Sequence, residues 1–361
     1  MYILAVDVGG ATQDILLYDS SVPLDNCVQM IMPSPTIIAS NRIEAATRRK
    51  SPVLFTGVNM GGGPIRRAMK RHVAAGIPFY ATPDAAATFN DDLAEVRDMG
   101  VTIVSEDEAE GLTGARRIHA ADIDLLRITR AIGAFGVRLR LDGIAVAVQD
   151  HGAAPAGISD RKFRFEHLKR TVERDPTLQA FAYLRDDIPL YLTRMHAVDR
   201  SVPADIPLLM MDTGPAAVLG ALEDDTARAH SHCLVANAGN FHALAFHLRR
   251  DRILGIVEHH SSALDAGKLD ALLDGMVHGT LRNEDVFNDG GHGCLVLGTA
   301  SRRPFLTLTG PRRALAAGSK YHSYLAAPHG DMMLTGCYGL LRAFANRVPG
   351  WRRQIDQSLR N

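Results

Sequence analysis

Residues 6–19 have the sequence VDVGGATQDILLYD, and this stretch decides the fold. Apolar residues lie on both sides of its glycine-rich centre, YILAV before it and ILLY after it. Two apolar runs joined by a short turn of this kind are typical of a β-hairpin. The sequence therefore predicts a hairpin over residues 2–18 that opens a β-sheet.

Residues 235–246, VANAGNFHALAF, repeat this pattern in the second half of the chain. An internal repeat usually indicates repeated architecture, so the sequence predicts two similar domains that face each other. Aligning the two stretches pairs four positions: Asp7 with Asn237, Gly9 with Gly239, Gly10 with Asn240 and Thr12 with His242.

The segments between the two hairpins alternate between strand and helix patterns, which favours an α/β fold. We predict strands at 52–58, 101–105, 143–149 and 207–212, and helix-like stretches near 84–98 and 118–134. Residues 155–206 are mixed in charge, rich in helix formers and poor in strand signals, and we expect a helical excursion there.

Composition excludes several functional classes. The 361 residues suggest two domains, and 40 basic against 40 acidic residues leave no net field to attract nucleic acid. No run is long enough to span a membrane, and no basic leader precedes the first strand, so we expect a cytoplasmic protein without a membrane partner. The four cysteines are scattered, which excludes a local C-x-x-C clip for a metal or a dithiol.

Five stretches, in this order, resemble the superfamily that includes acetate and sugar kinases, heat-shock ATPases and actin. They match its first phosphate loop, first connecting helix, second phosphate loop, adenosine turn and second connecting helix. The five are VDVGGATQDILLYD at 6–19, DTGPAAVLGAL at 212–222, VANAGNFHALAF at 235–246, LTLTGPRRALAAG at 306–318 and GDMMLTGCYGLLRAF at 330–344.

The resemblance implies two actin-like, ribonuclease H-like domains with a nucleotide cleft between them. It places the first domain at 1–211, with the excursion at 155–206, the second at 212–337, and a C-terminal helix that returns to the first domain at 338–361. It also implies ATP and Mg²⁺ as cofactors, with Mg²⁺ held by Asp7 and Asp14. The nucleotide-binding residues would be Asp7, Gly9, Gly10, Thr12, Asp14, Asn237, Gly239, Asn240, His242, Gly310 and Arg312.

The residue types in the first loop agree with this implication. Glycines let backbone amides approach phosphate oxygens, Thr12 adds a hydroxyl donor, and aspartates suit a hard cation. The second loop departs from the superfamily because Asn237 replaces an aspartate. A neutral amide cannot supply a carboxylate for metal or water, so we expect slow ATP hydrolysis in the absence of an acceptor.

Almost the whole chain also resembles a prokaryotic family of undefined function that is often labelled pyruvate formate-lyase-activating protein. AVQDHG, NAGNFHALAF, GIVEHH and PHGDMMLTG carry this resemblance. A radical enzyme of that kind holds an iron–sulfur cluster with closely spaced cysteines. This sequence has no such cysteines, so we exclude that activity.

Asp150 and His151 follow the apolar run GIAVAV, at the carboxyl end of a predicted strand where α/β folds place their ligands. Asp150 is the candidate general base, with His151 as its partner or as the base itself. A structural role, in which Asp150 caps the next turn and His151 packs, is the alternative.

Several polar loops offer further chemistry. Imidazole and carboxylate groups suit zinc, iron or manganese, and together these loops with Asp150, His151 and His242 form a candidate transition-metal site. The alternative is scattered polar residues that line a cleft, since the spacing has no metal signature. The loops are Glu258-His259-His260, Asp289-Gly290-Gly291-His292-Gly293 and His329-Gly330-Asp331.

The leading functional hypothesis is an ATP-dependent phosphotransferase that acts on a small metabolite. A homodimer is one assembly that the sequence leaves open. A nucleotide-dependent switch that acts on a partner protein is the alternative, as is a fold that binds a ligand without turnover. Asp150 and His151 favour an enzyme, whereas a switch would need a partner surface such as 155–206. For Arg66 and Arg67 two roles stay open: they bind an anionic substrate, or they lie solvated on an exposed helix face.

Overall fold

The computed structural model describes residues 1–137 and 139–360. Arg138, inside the predicted first domain 1–211, and Asn361, the last residue of the predicted segment 338–361, lie outside the described residues. The strands form three sheets, which are mixed or wholly parallel. The strands are β1 Tyr2–Val8, β2 Thr12–Asp19, β3 Val28–Pro33, β4 Val53–Gly57, β5 Phe79–Ala81, β6 Thr102–Ile103, β7 Arg116–Ala120, β8 Gly143–Val148, β9 Ala182–Leu184, β10 Leu208–Met211, β11 His232–Ala238, β12 His242–Arg249, β13 Arg252–His260, β14 Gly293–Val296, β15 Phe305–Thr309 and β16 Tyr324–Leu325.

The helices cover the sheets, and within the described residues none is long and apolar enough to cross a membrane. They are α1 Pro35–Arg48, α2 Gly63–Ala74, α3 Pro83–Ala86, α4 Leu93–Asp98, α5 Glu106–Gly111, α6 Leu125–Gly133, α7 Asp160–Arg174, α8 Thr193–Arg200, α9 Thr213–Ala221, α10 Asp225–Arg228, α11 Ala266–His278, α12 Asn283–Asn288, α13 Thr335–Arg347 and α14 Pro349–Ser358.

Two of the sheets have the same core topology. The first has the order β3-β2-β1-β8-β10-β9 and the second β14-β13-β12-β11-β15-β16. In each sheet three antiparallel strands form a meander, and a parallel strand lies on the other side of the first of them, β8 beside β1 and β15 beside β11. The predicted hairpins and the internal repeat are therefore confirmed.

A third sheet, with the order β6-β5-β4-β7, is wholly parallel and lies in the chain between β3 and β8. It has its own core, in which Phe55 packs against Phe79 and Phe89. The sequence analysis did not separate this unit from the first sheet. It was also wrong about the start of 118–134, because Arg116–Ala120 is a strand whose buried residues alternate with exposed ones.

Two other segments differ from their predictions. Residues 155–206 are not wholly helical, because Ala182–Leu184 pairs antiparallel with β10 and extends the first sheet. Residues 338–361 contain not one helix but parts of two: α13 ends at Arg347, and Pro349 begins α14. A proline has no amide hydrogen to give, so it starts a new helix more readily than it continues an old one.

Helices α9 and α13 lie between the two similar sheets. They approach closely because Gly220 in α9 faces the carbonyl of Thr335, and Gly339 in α13 faces the carbonyl of Ala216; a Cβ on either glycine would collide with that oxygen. The apolar core around this pair takes residues from both sheets, including Ala145 and Phe246. This packing brings the two hairpin turns to one cleft.

The second sheet contains a pair of histidines, His247 buried and His232 half-buried, that affects the stability of the protein. Nε2 of His247 in β12 lies 2.8 Å from Nε2 of His232, so one proton bridges the two rings. Burial, with the neighbouring His232, lowers the pKa of His247 to about 4. An unfolded histidine titrates near 6.5, so between pH 6.5 and 4 the unfolded chain binds the extra proton and the folded chain does not.

This difference predicts that His247 contributes stability above pH 6.5 that is lost as the pH falls toward 4. We expect the protonation of His247 to lower the free energy of unfolding of the wild type by about 2 kcal/mol when the pH falls from about 7.5 to 5. Denaturant unfolding of His247→Leu at both pH values should show a correspondingly smaller loss. The exposed His119→Ala should behave as the wild type, and equal losses in all three proteins would contradict the assignment.

Candidate functional site

The two hairpin turns are built alike. In the first, the amide of Gly9 donates to the carbonyl of Thr12 at 2.9 Å, and in the second the amide of Gly239 donates to the carbonyl of His242 at 2.9 Å. The alignment made on sequence alone pairs these same positions. The repeat therefore extends from strand order to the hydrogen bonds of the turns.

A serine that follows the third strand of each meander braces the turn. Ser34 donates its hydroxyl to the carbonyl of Gly10 at 3.1 Å and its amide to the carbonyl of Ala11 at 2.9 Å. In the second half the hydroxyl of Ser261 donates to the carbonyl of Gly239 at 2.7 Å. Sequence reasoning missed both serines, because their neighbours PSP and HSS have nothing else in common.

The turns contact each other across a small cavity. The ring of Phe241 packs on Gly10, where a Cβ would lie only 2.0 Å from the ring. The space between the turns has a volume of about 110 Å³, below the 300–1,000 Å³ typical of small-molecule sites. The structure therefore shows the turns in a closed arrangement.

Carboxylates line the first-sheet side of this cavity. Asp7 and Asp14 face each other across β1 and β2, and Asp212 caps α9 by accepting the amide of Gly214 at 3.2 Å. Burial, followed by the charges of Asp14 and Asp212, raises the pKa of Asp7 well above its ordinary value. Burial also raises the pKa of Asp14 to about 7.

The two facing aspartates have oxygen atoms that no protein group satisfies. Oδ1 of Asp7 and Oδ1 of Asp14 are buried without a hydrogen-bond partner among the described residues. A buried polar atom left unpaired is costly, and Mg²⁺ takes carboxylate oxygens while keeping several waters. The donor set and the unpaired oxygens therefore fit a magnesium ion.

Arg164 of α7 joins the two halves of the site and was missed by the sequence analysis. Its guanidinium donates to Asp212 at 2.6 Å, to Glu258 of β13 at 2.8 Å and to the carbonyl of Asp150 at 2.9 Å. Arg164 and Glu258 are each only 1% exposed. The guanidinium lowers the pKa of Glu258, so this carboxylate is ionised although it is buried.

A second cavity, of about 410 Å³, adjoins the first and shares with it both turns and His242. Its far wall comes from the glycine-rich start of α2 and carries Arg66 and Arg67. Nε of Arg66 is buried and has no hydrogen-bond partner in the described part of the chain. This cavity has the size and polarity of a small-molecule site.

Asp150 lines the second cavity and is held rigidly. Its Oδ1 accepts the amide of Gly152 at 2.8 Å, and its Oδ2 accepts the amide of Met195 at 2.9 Å. Burial raises the pKa of Asp150 to about 6 despite these bonds and the nearby Arg194. The structural role that the sequence analysis gave as the alternative, a cap on the following turn, is thus present, and the same residue also lines the cavity.

The structure brings most of the candidate nucleotide-binding residues to the first cavity. Arg312 is not among the residues that line it, and its backbone amide donates to the carbonyl of Ala238. Those that line it are Asp7, Gly9, Gly10, Thr12, Asp14, Asn237, Gly239, Asn240, His242 and Gly310.

The structure brings some of the candidate metal-binding histidines together and places others elsewhere. His151 lies against His242 and His292, with ring centroids 5.9 and 5.6 Å away. His259 instead points to Asp289, at 3.1 Å, and the ring of His329 lies 4.8 Å from that of Tyr338. Only part of the predicted polar loops therefore meets at the cavity.

Residues 60–315 match the model of a family described as "Putative pyruvate format-lyase activating enzyme (DUF1786)". The chain belongs to this family. The description does not fit the cysteines, since Cys27, Cys233, Cys294 and Cys337 are all buried and free. In the described residues, the group of three or more side chains that lie close enough to share one metal ion consists of histidines, not cysteines.

No curated protein matches this member of the family. Among solved structures, a ROK family transcriptional regulator, a homologue of the E. coli MLC protein, is 8% identical with a TM-score of 0.28, over 70% of this chain and 38% of that one. The ROK hexokinase from Thermus thermophilus is 11% identical with a TM-score of 0.23, over 70% and 48%. The chain thus spans less than half the length of these structures, and such low scores carry no weight for the site.

Proposed function

We propose that the protein is an ATP-dependent phosphotransferase of the actin-like type that phosphorylates a small, polar metabolite. One observation carries the proposal: two sheets of the same strand order present the same hydrogen-bonded glycine turn to one cleft, beside two aspartates with unpaired buried oxygens. Backbone amides in glycine turns bind phosphate, and carboxylates hold its metal.

The proposal divides the chain into two domains, 1–211 and 212–337, with 338–361 returning to the first. In support, α13 packs on strands β1, β8 and β10 of the first sheet as well as on α9. The third sheet, which includes Val53–Gly57, is then an insertion in the first domain.

Each group in the cleft has a role in this scheme. Gly9, Gly10 and Gly239 let the backbone approach the phosphates, and Asp7 and Asp14 would hold the magnesium ion. Mg²⁺–ATP would supply the phosphoryl group with its charge partly neutralised. Phe241 must leave Gly10 for the nucleotide to enter, so binding requires the turns to separate and close again.

The larger cavity would hold the acceptor. The unpaired Nε of Arg66, with Arg67 beside it, suits an acceptor that carries a carboxylate or phosphate. Asp150 would take the proton of the acceptor hydroxyl, since it faces this cavity and its carboxylate is fixed by two amides. Catalysis would consist of positioning and charge neutralisation.

The first test is nucleotide binding. A ligand that binds only the folded state stabilises it by about 2.7 kcal/mol at 100 times its Kd. We expect Mg²⁺ with a non-hydrolysable ATP analogue to raise the melting temperature by several degrees. Asp7→Asn, which removes one carboxylate from the metal site, should abolish most of this shift.

An unchanged melting temperature at millimolar Mg²⁺ and analogue would overturn the proposal. Binding followed by ADP release with one of a panel of small hydroxy acids and phosphorylated alcohols would support it. Binding without turnover on any member of the panel would favour the alternative, a nucleotide-dependent switch.

A further inference from the structure

Four histidines from both sheets converge where the two cavities meet. His151 follows β8 of the first sheet, whereas His242, His260 and His292 come from β12, from β13 and from the residue before β14. The rings of His242 and His292 are 4.9 Å apart, and that of His260 lies 4.9 and 5.0 Å from them. The cluster thus exists only when the two sheets come together.

Three of these side chains can converge on one ion. Ligand nitrogens of His151, His242 and His292 all lie within 4.8 Å of one another. Nitrogens bound to a tetrahedral zinc ion at ~2.0–2.1 Å lie about 3.3 Å apart, so small side-chain rotations would close the site. No comparable group of three or more ligands occurs elsewhere in residues 1–137 and 139–360.

His292 gives an independent indication of a ligand. It is only 1% exposed, and neither of its ring nitrogens has a hydrogen-bond partner among the residues described. A buried imidazole normally satisfies at least one nitrogen, because an unpaired buried polar atom costs about 1–3 kcal/mol. A bound cation would remove that cost.

The charges beside the cluster are close to balanced. Glu258 and Asp212 contribute two negative charges, against the positive charges of Arg164 and of Arg161, whose guanidinium donates to the carbonyl of Gly291. The affinity for a cation therefore has to come from the imidazole nitrogens. Imidazole ligands without cysteine select a divalent ion of the zinc, cobalt or iron class rather than magnesium. The cluster is therefore chemically distinct from the carboxylates of Asp7 and Asp14.

We infer that His151, His242 and His292 bind a divalent transition-metal ion of the zinc class, with an open position toward the larger cavity. Three protein ligands with one open position are the pattern of catalytic rather than structural zinc sites. The open position would accept water or an oxygen atom of the molecule in that cavity. This assigns His151 a ligand role in place of proton transfer, and it does not depend on the nucleotide proposal.

The test uses the full chain, freed of metal with a chelator and then given Zn²⁺. We expect one zinc ion per chain after desalting, and visible tetrahedral bands when Co²⁺ replaces zinc. His151→Ala and His292→Ala should each weaken zinc binding by about 100-fold or more. His119→Ala, an exposed histidine in the third sheet, should bind as the wild type does.

X-ray absorption of the zinc-loaded wild type measures the number of imidazole ligands directly, and we expect three. This measurement needs no variant, so it tests the inference even if a variant does not fold. Fewer than three imidazoles, no zinc retained by the wild type, or full binding by both variants would overturn the inference. Asp7→Asn should still bind zinc although it loses the nucleotide shift. That comparison separates failure of this site from failure of the phosphotransferase proposal.

Discussion

Arg164→Met should lower the free energy of unfolding by about 3–5 kcal/mol, the cost of leaving a buried ion pair without one partner. Arg164 is 1% exposed and neutralises both Asp212 and Glu258. Methionine fills much of the same volume but leaves two buried carboxylates facing each other. The main loss is therefore electrostatic and not a cavity.

Denaturant unfolding near neutral pH measures this effect, and the same helix supplies the control. Arg170 pairs with Glu166 on the solvent side of α7, where the two side chains are 67% and 41% exposed. Exposed pairs of this type contribute about 0.3–0.5 kcal/mol. Arg170→Ala should therefore change the unfolding free energy very little.

Neutralising the two carboxylates that Arg164→Met leaves unpaired should restore part of the lost free energy of unfolding. In Arg164→Met combined with Asp212→Asn and Glu258→Gln, no uncompensated carboxylate remains, so this triple variant should be more stable than Arg164→Met alone. If the single variant is as stable as Arg170→Ala, the buried network contributes nothing measurable. The link it forms between α7, α9 and β13 would then be incidental.

The elements that the sequence predicted well are those with strong local signals. The turns at Gly9 and Gly239 stand between long apolar strands, and both appear with the same hydrogen bond. The strand at Gly143–Val148 is six buried residues in a row, so the position of Asp150 just beyond its carboxyl end could be predicted. Periodicity and glycine turns are sufficient for such elements.

The elements that it missed depend on contacts distant in sequence. Helix α7 buries Phe165, Leu168 and Val172 at helical spacing, which signals an inward face, but no local pattern shows that Arg164 shares that face. Its partners become apparent only when both sheets are assembled. The same holds for the histidine cluster, whose members the sequence named without the distances that select His151, His242 and His292.

Asp150→Asn should reduce acceptor-dependent turnover by about 10²–10⁴-fold, the usual contribution of a positioned general base. The structure also predicts a stability cost. Both carboxylate oxygens accept backbone amides, from Gly152 and Met195, whereas an asparagine has only one acceptor oxygen. One buried amide then faces an NH₂ group, which should cost about 1–3 kcal/mol.

A matched variant separates these two effects. Asp224 is also a buried aspartate, and it accepts the amides of Thr226 and Ala227 with one oxygen and that of Ala327 with the other. It is absent from the residues that line the two cavities of the cleft. Asp224→Asn should therefore lose stability as Asp150→Asn does and keep its turnover.

Turnover is measured as ADP release with the acceptor that gives the highest rate in the panel, at a temperature where both variants are folded. If Asp150→Asn loses stability but turns over as fast as Asp224→Asn, the carboxylate only anchors the loop. Proton transfer would then fall to another group that lines the cavity. A rate loss confined to Asp150→Asn would show that one carboxylate both fixes the loop after β8 and takes the proton. Both roles require a buried carboxylate that lines the larger cavity, which is where Asp150 lies.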